Sequence, residues 1–335
     1  MFLGVDGGGT KTAFCLIDPS GKVRARALGV GAYYFSDNAA DGIAHVARVL
    51  ADGVTSVCAD AGIRPADIRY AFLGLPGYGE AAADVAALDA VPYGVLGHHR
   101  YACDNDMVCG WAGSLGGADG VNVISGTGSM AYGERHGHGA RTGGWGELFS
   151  DEGSAYWIAA RGLNAFSRMS DGRLPEGPLA AVLRRHLRLT SDLDLVDVVL
   201  NRLQGRRGEI AALSPRIAEA AELGDEAAGA ILADAGRELA LLVDSARRRL
   251  GFAADETVPV SYSGGVFASE TVLASFTAAL ADGDTHYDLR HPLFEPVVGA
   301  ALHAATLAGA PLDTTALDTL RVPPAETVTE RAHEH

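Results

Sequence analysis

The sequence predicts an α/β protein with two similar halves, and three observations support this fold class. Short apolar segments of strand character alternate along the chain with longer segments of helical periodicity. A pair of strands joined by a turn of glycine and hydroxyl residues occurs near residue 10 and again near residue 127. The 335 residues provide enough chain for one large domain or for two of medium size.

The first half opens with three consecutive strands. They are expected over residues 2–5, 13–17 and 22–28, and the short turns between them make them antiparallel. A helix follows over roughly 39–62, where Val46, Leu50 and Val57 recur at the spacing of one buried helix face. The remaining elements are a strand at 70–75, a weaker helix near 79–90 and a strand near 93–96.

The second half repeats the opening pattern and then becomes helical. After a helix near 106–114 and a glycine break, strands at 121–124 and 130–133 flank the second glycine turn. The later elements are helices near 151–168, 176–187, 209–223 and 225–250, a strand at 258–262 and a helix near 296–308. We predict an N-terminal domain over 1–115, a C-terminal domain over 116–320 whose last helix can pack on the first domain, and a flexible tail over 321–335.

Charge and composition exclude several classes of protein. The 27 Lys+Arg and 42 Asp+Glu give a net charge of −15, which argues against a general basic surface for nucleic acid or anionic lipid. The sequence shows no export signal and no apolar run of membrane-spanning length. The four cysteines form no CxxC pair, which indicates a reduced chain without a zinc site. We expect a cytoplasmic protein without membrane or nucleic-acid partners.

The segment 6–12, which reads DGGGTKT, is the first candidate phosphate-binding turn. Its backbone N–H groups can converge between two strands into an anion-binding concavity, and its glycines allow close approach. The candidate phosphate contacts are Gly8, Gly9, Thr10, Lys11 and Thr12. Asp6 ends the first strand and can hold Mg²⁺ through its water shell. The alternative is a plain glycine hairpin; a Walker loop is excluded because its residue order is absent.

Two further glycine elements occur in the second half. The turn 125–129 reads SGTGS and repeats the donor chemistry of the first turn, so the two turns together can clamp one polyphosphate. Its candidate contacts are Gly126, Thr127, Gly128 and Ser129. In the segment 263–267, which reads SGGVF, the small residues Gly264 and Gly265 would let an adenine ring lie against the backbone. The alternative for this segment is an ordinary turn from a strand into a helix.

These motifs, taken in order, resemble a known family. The order DGGGTKT, ND, ISGTGS, GGWGxxxxDEGSAYWIA and SGGVF is similar to the N-acetylglucosamine kinase branch of the BadF/BadG/BcrA/BcrD ATPases, within the actin/sugar kinase/Hsp70 superfamily. The motifs extend from residue 4 to about residue 302, and the block 143–159 is the most specific of them.

The resemblance implies a fold and an activity. It implies two ribonuclease H-like (actin-like ATPase) domains flanking a nucleotide cleft that binds ATP and Mg²⁺. It also implies transfer of the γ-phosphoryl group to a hydroxyl, usually O6, of an amino sugar such as N-acetylglucosamine or glucosamine. Members of the family often form dimers, so we expect a homodimer whose other partner is a small-molecule sugar.

Asp106 is the candidate general base. Phosphoryl transfer to an alcohol needs a carboxylate that accepts the hydroxyl proton, and Asp106 lies at a predicted helix start between the two glycine turns. Its alternative role is to cap that helix, which Asp104 or Asn105 could equally do. By resemblance, Asp106 matches the catalytic aspartate, and Asn105 before it is a candidate sugar contact.

The sugar contacts are inferred from the block 143–159. By resemblance, Asp151 would accept hydrogen bonds from sugar hydroxyls, while Gly144 and Trp145 would line the pocket; Asp151 and Glu152 could also act only as helix caps, and Trp157 is expected in the core. Two departures leave the sugar open. The segment 31–36 reads GAYYFS where the family has an asparagine, with Asn38 following. Tyr33 and Tyr34 could stack on a sugar face, or they could belong to the core. Glu147 replaces the neutral or aromatic residue that commonly follows GGWG in the family, and Ser150 replaces a glycine before Asp151. The Glu147 carboxylate could pair with the ammonium of glucosamine, or it could be a solvated loop carboxylate.

Two other functions compete with the kinase hypothesis. An activator ATPase of the same family would hold an iron–sulfur cluster through cysteines, and only Cys103 and Cys109 lie near a plausible position. A nucleotide-dependent binding or regulatory module would not need a sugar pocket. The presence of Asp106 and of the block 143–159 favours the kinase.

Overall fold

The structure is a computed structural model that describes residues 1–34 and 42–321. It divides into two compact units. Unit 1 contains Met1–Ala118 and the chain from Pro292 onward, and unit 2 contains Asp119–His291. Each unit has a five-stranded sheet with helices, so the predicted α/β class with two related halves is confirmed. Phe35, Ser36 and Asn38, and the predicted tail apart from Arg321, lie outside the described residues.

Ten strands form the two sheets of the described chain. Those of unit 1 are β1 (Phe2–Gly7), β2 (Lys11–Ile17), β3 (Val23–Val30), β4 (Tyr70–Leu75) and β5 (Tyr101–Asn105). Those of unit 2 are β6 (Gly120–Ser125), β7 (Ser129–Arg135), β8 (His138–Gly143), β9 (Thr257–Ser263) and β10 (His286–Arg290). The strand orders are β3-β2-β1-β4-β5 and β10-β9-β6-β7-β8. In each sheet three strands are antiparallel neighbours and two more run parallel to the central one.

The described α-helices number twelve. In chain order they are α1 (Ile43–Ala61), α2 (Val85–Leu96), α3 (Met107–Leu115), α4 (Ala155–Ser170), α5 (Pro178–Leu187), α6 (Asp194–Asp197), α7 (Arg207–Ala211), α8 (Ser214–Glu222), α9 (Glu226–Arg249), α10 (Glu270–Ala281), α11 (Pro296–Leu307) and α12 (Thr314–Arg321). A short 3₁₀ turn at Gly265–Ala268 follows β9.

In unit 1, helices cover the sheet and bury its central strand. Helix α1 packs its face of Val46, Leu50 and Val57 against β2 and β3, as its periodicity predicts. It ends at Gly62, whose left-handed backbone suits glycine. Helix α11 packs on β1 and on α3, although it is separated from both by the whole of unit 2 in the chain.

In unit 2, the long helix α9 forms the centre of the core. It contacts β6, β7 and β8 on one side and α4, α8 and α10 on others. Its buried residues include Leu232, Leu239 and Val243, at the spacing of one helix face. Asp225 caps its N-terminus by accepting a hydrogen bond from the Ala228 N–H at 2.9 Å.

Some predicted elements are wrong. The strand expected near 93–96 belongs to α2, because Leu88, Pro92 and Leu96 form one buried helix face; the fifth strand is β5. Strands β8 and β10 were not predicted because they are short and rich in glycine or polar residues. Helix α10 was also missed, although Val272, Phe276 and Leu280 recur every four residues.

Candidate functional site

The first glycine turn joins β1 to β2 and presents backbone donors to solvent. The Gly8 N–H donates to the Lys11 carbonyl at 2.9 Å, and the Ala32 N–H donates to the Gly8 carbonyl at 3.0 Å. Among the described residues, no acceptor contacts the N–H groups of Gly9 and Thr10, which are both exposed. The turn therefore offers adjacent donors to an anion.

The two residues after Thr10 have different positions. The Lys11 side chain is exposed at the start of β2, where its ammonium group can reach an anion at the turn. Thr12 is fully buried, and its hydroxyl donates to the Val30 carbonyl at 2.8 Å. The structure therefore does not bring the Thr12 side chain to the exposed face of the turn, and its hydroxyl anchors β2 to β3.

Asp6 and Asp106 are electrostatically coupled in unit 1. Burial, with a smaller contribution from the negative charge of Asp106, raises the pKa of Asp6 to about 7, and Lys11 acts in the opposite direction. Asp6 is the register partner of Gly74 on the parallel strand β4. A β-carbon on Gly74 would lie 3.1 Å from the Cα of Asp106 and would overlap the Sγ of Cys109. The absence of that side chain lets the start of α3 approach the strand end that holds Asp6.

Asp106 occupies the cap position of α3 without making a side-chain capping hydrogen bond. Asn105 makes one instead: its Oδ1 accepts from the Met107 N–H at 3.2 Å, and its Nδ2 donates to the Tyr78 carbonyl at 3.1 Å. Asn105 is buried and both ends of its amide are engaged, so the structure does not present it as a sugar contact. The capping role thus belongs to Asn105, and the carboxyl group of Asp106 is not needed for it.

The second glycine turn joins β6 to β7 and lies against the start of α4. The Ala155 N–H donates to the Gly126 carbonyl at 2.9 Å, and the Tyr156 N–H donates to the Thr127 carbonyl at 3.3 Å. The N–H groups of Thr127 and Gly128 have no acceptor within residues 1–34 and 42–321. This turn therefore repeats the donor arrangement of the first one.

The hydroxyl at the end of the second turn is also structural. The Ser129 hydroxyl donates to the Glu152 carbonyl at 2.6 Å, and the Ser125 hydroxyl donates to the Gly153 carbonyl at 2.8 Å. These bonds tie both ends of the turn to the segment before α4. Gly264 lies beside the same turn, because a β-carbon there would overlap the Ser125 carbonyl oxygen; Gly265 has open space around it.

Asp151 is a buried carboxylate held by an arginine. It is 1% exposed, its backbone has φ 59°, and its Oδ2 forms an ion pair with Nη2 of Arg207 at the start of α7. The Gly146 N–H also donates to it. Arg207 contacts a second carboxylate, since its Nε lies 3.3 Å from Oε2 of Glu147. Burial raises the pKa of Asp151, and Arg207 opposes that increase.

The other predicted sugar contacts occupy varied environments. Gly144 is at φ 70°, in the left-handed region that suits glycine, and Trp145 is 72% exposed. Tyr33, in unit 1, is partly exposed. Trp157 packs against the core of unit 2, as expected. Helix α4 is capped by Ser154, whose Oγ accepts from the Trp157 N–H at 3.1 Å, so Asp151 and Glu152 precede the cap.

The chain matches a known family of ATPases over most of its length. The model of the BadF/BadG/BcrA/BcrD ATPase family matches residues 3–304, which is most of the chain. The chain belongs to this family. Unit 1 and unit 2 each contribute one of the glycine turns that lie within the matched region.

Proteins that are similar to this chain include named sugar kinases. An N-acetyl-D-glucosamine kinase of Dictyostelium discoideum is 30% identical over 315 residues, which cover 91% of this chain and 97% of the relative. An N-acetylmuramic acid/N-acetylglucosamine kinase of Clostridium acetobutylicum is 35% identical over 163 residues, which cover 48% of this chain and 53% of the relative. The structure of a Chromobacterium violaceum protein provisionally named N-acetylglucosamine kinase matches with a TM-score of 0.68 at 24% identity, covering 90% of this chain and 98% of that one. This last match supports the fold.

The metal chemistry expected of a BadF-type ATPase fits Asp6 and Asp106. Within the described residues, no group of three or more His, Cys, Asp or Glu side chains is arranged to hold a metal ion. Mg²⁺ is usually bound by one or two carboxylates, several waters and substrate phosphates. Asp6 and Asp106, which are both partly exposed, meet that need, because a nearby cation would favour their ionised forms.

The cysteines offer little to the activator branch of the family. Cys109 is fully buried, its Sγ donates to the Val5 carbonyl at 3.5 Å, and burial raises its pKa well above the ordinary value. Burial also raises the pKa of Cys103. Neither thiol is an exposed thiolate that could ligate a surface cluster.

None of the helices in the described ranges has the length and hydrophobicity to span a membrane.

Arg207 is the site residue that sequence reasoning missed. It lies 56 residues after Asp151, in the segment GRRGE, which matches none of the motifs above. The available signal was weak: a buried carboxylate needs a cationic partner, but the sequence has several arginines that could serve.

Proposed function

We propose that the chain transfers the γ-phosphoryl group of ATP to the O6 hydroxyl of an amino sugar, with N-acetylglucosamine as the first candidate. Family membership and the kinase relatives make it an ATP-dependent sugar kinase. The choice of N-acetylglucosamine rests on the relative that is 30% identical across 91% of the chain. The observation that carries the proposed chemistry is the close approach of Asp106 to Gly74, the register partner of Asp6, next to a turn that offers backbone donors.

In this proposal Asp106 is the general base. It accepts the proton of the sugar hydroxyl while the new bond from oxygen to the γ-phosphorus forms and the bond to the bridging oxygen of ADP breaks. Mg²⁺, held near Asp6 through water, would neutralise charge on the phosphates. The position of Asp106 at the start of α3, beside Gly74 and the strand end that holds Asp6, supports this role, and Asn105 performs the capping.

The phosphates of ATP would be bound by backbone donors. In unit 1 these are the N–H groups of Gly9 and Thr10, with Gly8 as their support and the ammonium group of Lys11 beside them. In unit 2 they are the N–H groups of Thr127 and Gly128. Gly264 and Gly265, next to the second turn, would accommodate the adenosine.

The sugar would be recognised in unit 2 by Asp151, with Gly144 and Trp145 nearby. Asp151 accepts hydrogen bonds from sugar hydroxyls, as a carboxylate with several lone pairs can do beyond its bond to Arg207. Glu147 already has a cationic partner in Arg207, which reduces its capacity to select a free ammonium group. This arrangement favours the acetylated sugar over glucosamine.

The test is sugar-dependent ADP release. Mg·ATP is offered with N-acetylglucosamine, glucosamine, N-acetylmuramic acid, N-acetylmannosamine, galactosamine, glucose or no sugar, and the phosphorylated carbon is located by NMR. We expect N-acetylglucosamine to give the largest response, phosphorylation at O6, and a loss of at least 10²-fold in kcat for Asp106→Asn.

A matched control is available two residues before Asp106 in the chain. Asp104 is exposed, whereas the Asp106 next to α3 is partly buried, so Asp104→Asn should retain wild-type kcat. Equal losses in the two variants would contradict the assignment of the base. Absence of sugar-dependent ADP release in the wild-type protein would contradict the kinase proposal itself. Light scattering of the same preparation tests the expected homodimer.

A further inference from the structure

The ion pair between Arg207 and Asp151 joins a buried carboxylate to an arginine that is open to solvent. Asp151 has almost no exposed surface, while the Arg207 side chain is 41% exposed. Removing one partner of a buried ion pair leaves an uncompensated charge, which is strongly destabilising or is relieved by protonation. The ionised state of Asp151 therefore depends on Arg207.

The guanidinium of Arg207 is fixed by two carboxylates. Its Nη2 contacts Asp151 and its Nε lies 3.3 Å from Glu147, so the planar group is held from two sides. Among the described residues, Arg207 and Glu147 are the charged groups that act on Asp151; the arginine lowers the pKa of Asp151 and the glutamate raises it.

This cluster lies directly on the second glycine turn. A β-carbon on Gly128 would overlap Nη2 of Arg207 and would lie 2.8 Å from Oδ2 of Asp151. The glycine at this position therefore makes room for the ion pair. The same turn carries the N–H groups of Thr127 and Gly128, which contact no acceptor in the part of the chain that the structure describes, so a ligand bound there lies next to Asp151.

We propose that Arg207 is a positioning residue for sugar binding, which holds Asp151 ionised and oriented at the second glycine turn, with Glu147 as its second anchor. The inference rests on the proposed kinase function. Arg207 acts through Asp151, because a protonated or rotated Asp151 accepts fewer hydrogen bonds from the sugar hydroxyls. Its loss should therefore weaken sugar binding more than it slows the chemical step.

The experiment compares Arg207→Ala, Arg207→Lys and Arg206→Ala. Arg206 is the exposed neighbour and bonds Gln204, so its variant is the matched control. For Arg207→Ala we expect KM for the sugar to rise about 10- to 100-fold, kcat to fall less than fivefold, and KM for ATP to rise much less than KM for the sugar. The acidic limb of kcat/KM for the sugar should move to higher pH, since the group that lowers the pKa of Asp151 is gone.

Two rescues separate positioning from folding. Arg207→Lys keeps the charge and should recover part of the loss in KM. Added ethylguanidinium should partly rescue Arg207→Ala, because the arginine side chain is open to solvent. An unchanged sugar KM and pH profile in Arg207→Ala, or a fall in kcat alone, would overturn the inference while leaving the kinase proposal intact. If Arg207→Ala does not fold, Arg207→Gln removes the charge with less loss of volume, and a wild-type sugar KM with an unmoved pH profile in that variant would also overturn it.

Discussion

Gly264 and Ser125 approach so closely that a β-carbon on the glycine would overlap the serine carbonyl oxygen. Gly264 directly follows β9 and has φ 102°, and Ser125 ends the neighbouring parallel strand β6. The contact joins the third glycine element of the sequence to the second glycine turn. Two motifs that are 139 positions apart (264 − 125) are therefore parts of one surface of unit 2.

Gly264→Ala should destabilise the protein, whereas Gly265→Ala should not. The alanine at 264 combines a strained backbone with steric overlap, which costs about 1–3 kcal/mol. The space around Gly265 is open. Thermal unfolding of both variants checks the prediction, and equal melting temperatures for the two would contradict the close approach.

Substitutions at Thr12 and Thr10 should affect different properties, the first the stability of the fold and the second the binding of ATP. Thr12→Val removes the buried hydrogen bond to the Val30 carbonyl and should lower the free energy of unfolding by about 1 kcal/mol, with KM for ATP unchanged. Thr10→Val removes an exposed hydroxyl of the turn that can donate to a phosphate oxygen, and it should raise KM for ATP with little change in stability. Denaturant unfolding and ATP titrations distinguish them. The opposite pattern would show that the Thr12 hydroxyl serves the nucleotide.

Glu147→Gln should leave sugar selectivity nearly unchanged. The Glu147 carboxylate is already paired with Arg207, so removing its charge does not delete an ammonium site. We expect the ratio of kcat/KM for glucosamine to that for N-acetylglucosamine to change less than threefold. Steady-state kinetics with both sugars provide the measurement. A large fall in the ratio would instead support the ammonium hypothesis.

His303 should make unit 1 less stable in mild acid. Burial against Phe72 and Trp111 lowers its pKa to about 4, so the native state binds fewer protons than the unfolded state between pH 4 and 6.5. Stability that is present above pH 6.5 is therefore lost as the pH falls through this window. The loss between pH 7 and 5 should be about 2 kcal/mol.

The variant His303→Leu isolates this contribution. It lacks a titratable group, so its free energy of unfolding should depend less on pH than that of the wild type over the same range. Urea unfolding at pH 5, 6 and 7 measures both slopes. Parallel pH dependences for the two proteins would exclude His303 as the cause.

Much of the fold follows from the sequence. The first three strands, α1, β4 and the strands around the second turn are short apolar or strongly periodic segments, whose local pattern agrees with their final environment. The segment 93–96 disagrees locally: its apolar residues favour a strand, but Leu88, Pro92 and Leu96 bury one helix face. Tertiary packing decides such cases, and the sequence alone does not contain that packing explicitly.

The site divides in a similar way. The backbone groups of Gly9, Thr10, Thr127 and Gly128 could be predicted, because glycine-rich turns between strands produce unpaired N–H groups locally. The roles of the side chains were harder to predict. The hydroxyl of Thr12 and the amide of Asn105 have internal partners that come from other elements of unit 1. The position of these two residues within a sequence motif does not determine which partners their side chains contact.

Unit 1 is built from two segments that are separated in the chain by unit 2, so its second segment is synthesised last. Helix α11 packs on β1 and α3 but leaves the ribosome only after all of unit 2 has been made. At about 5–20 residues per second, β1 and α3 wait on the order of ten seconds for that helix. Unit 2 is one continuous segment, Asp119–His291, which is synthesised within this interval and is complete directly before α11. A nascent chain that stops before α11 would therefore carry a finished second unit and a first unit with an uncovered apolar surface, which is a substrate for chaperones and proteases.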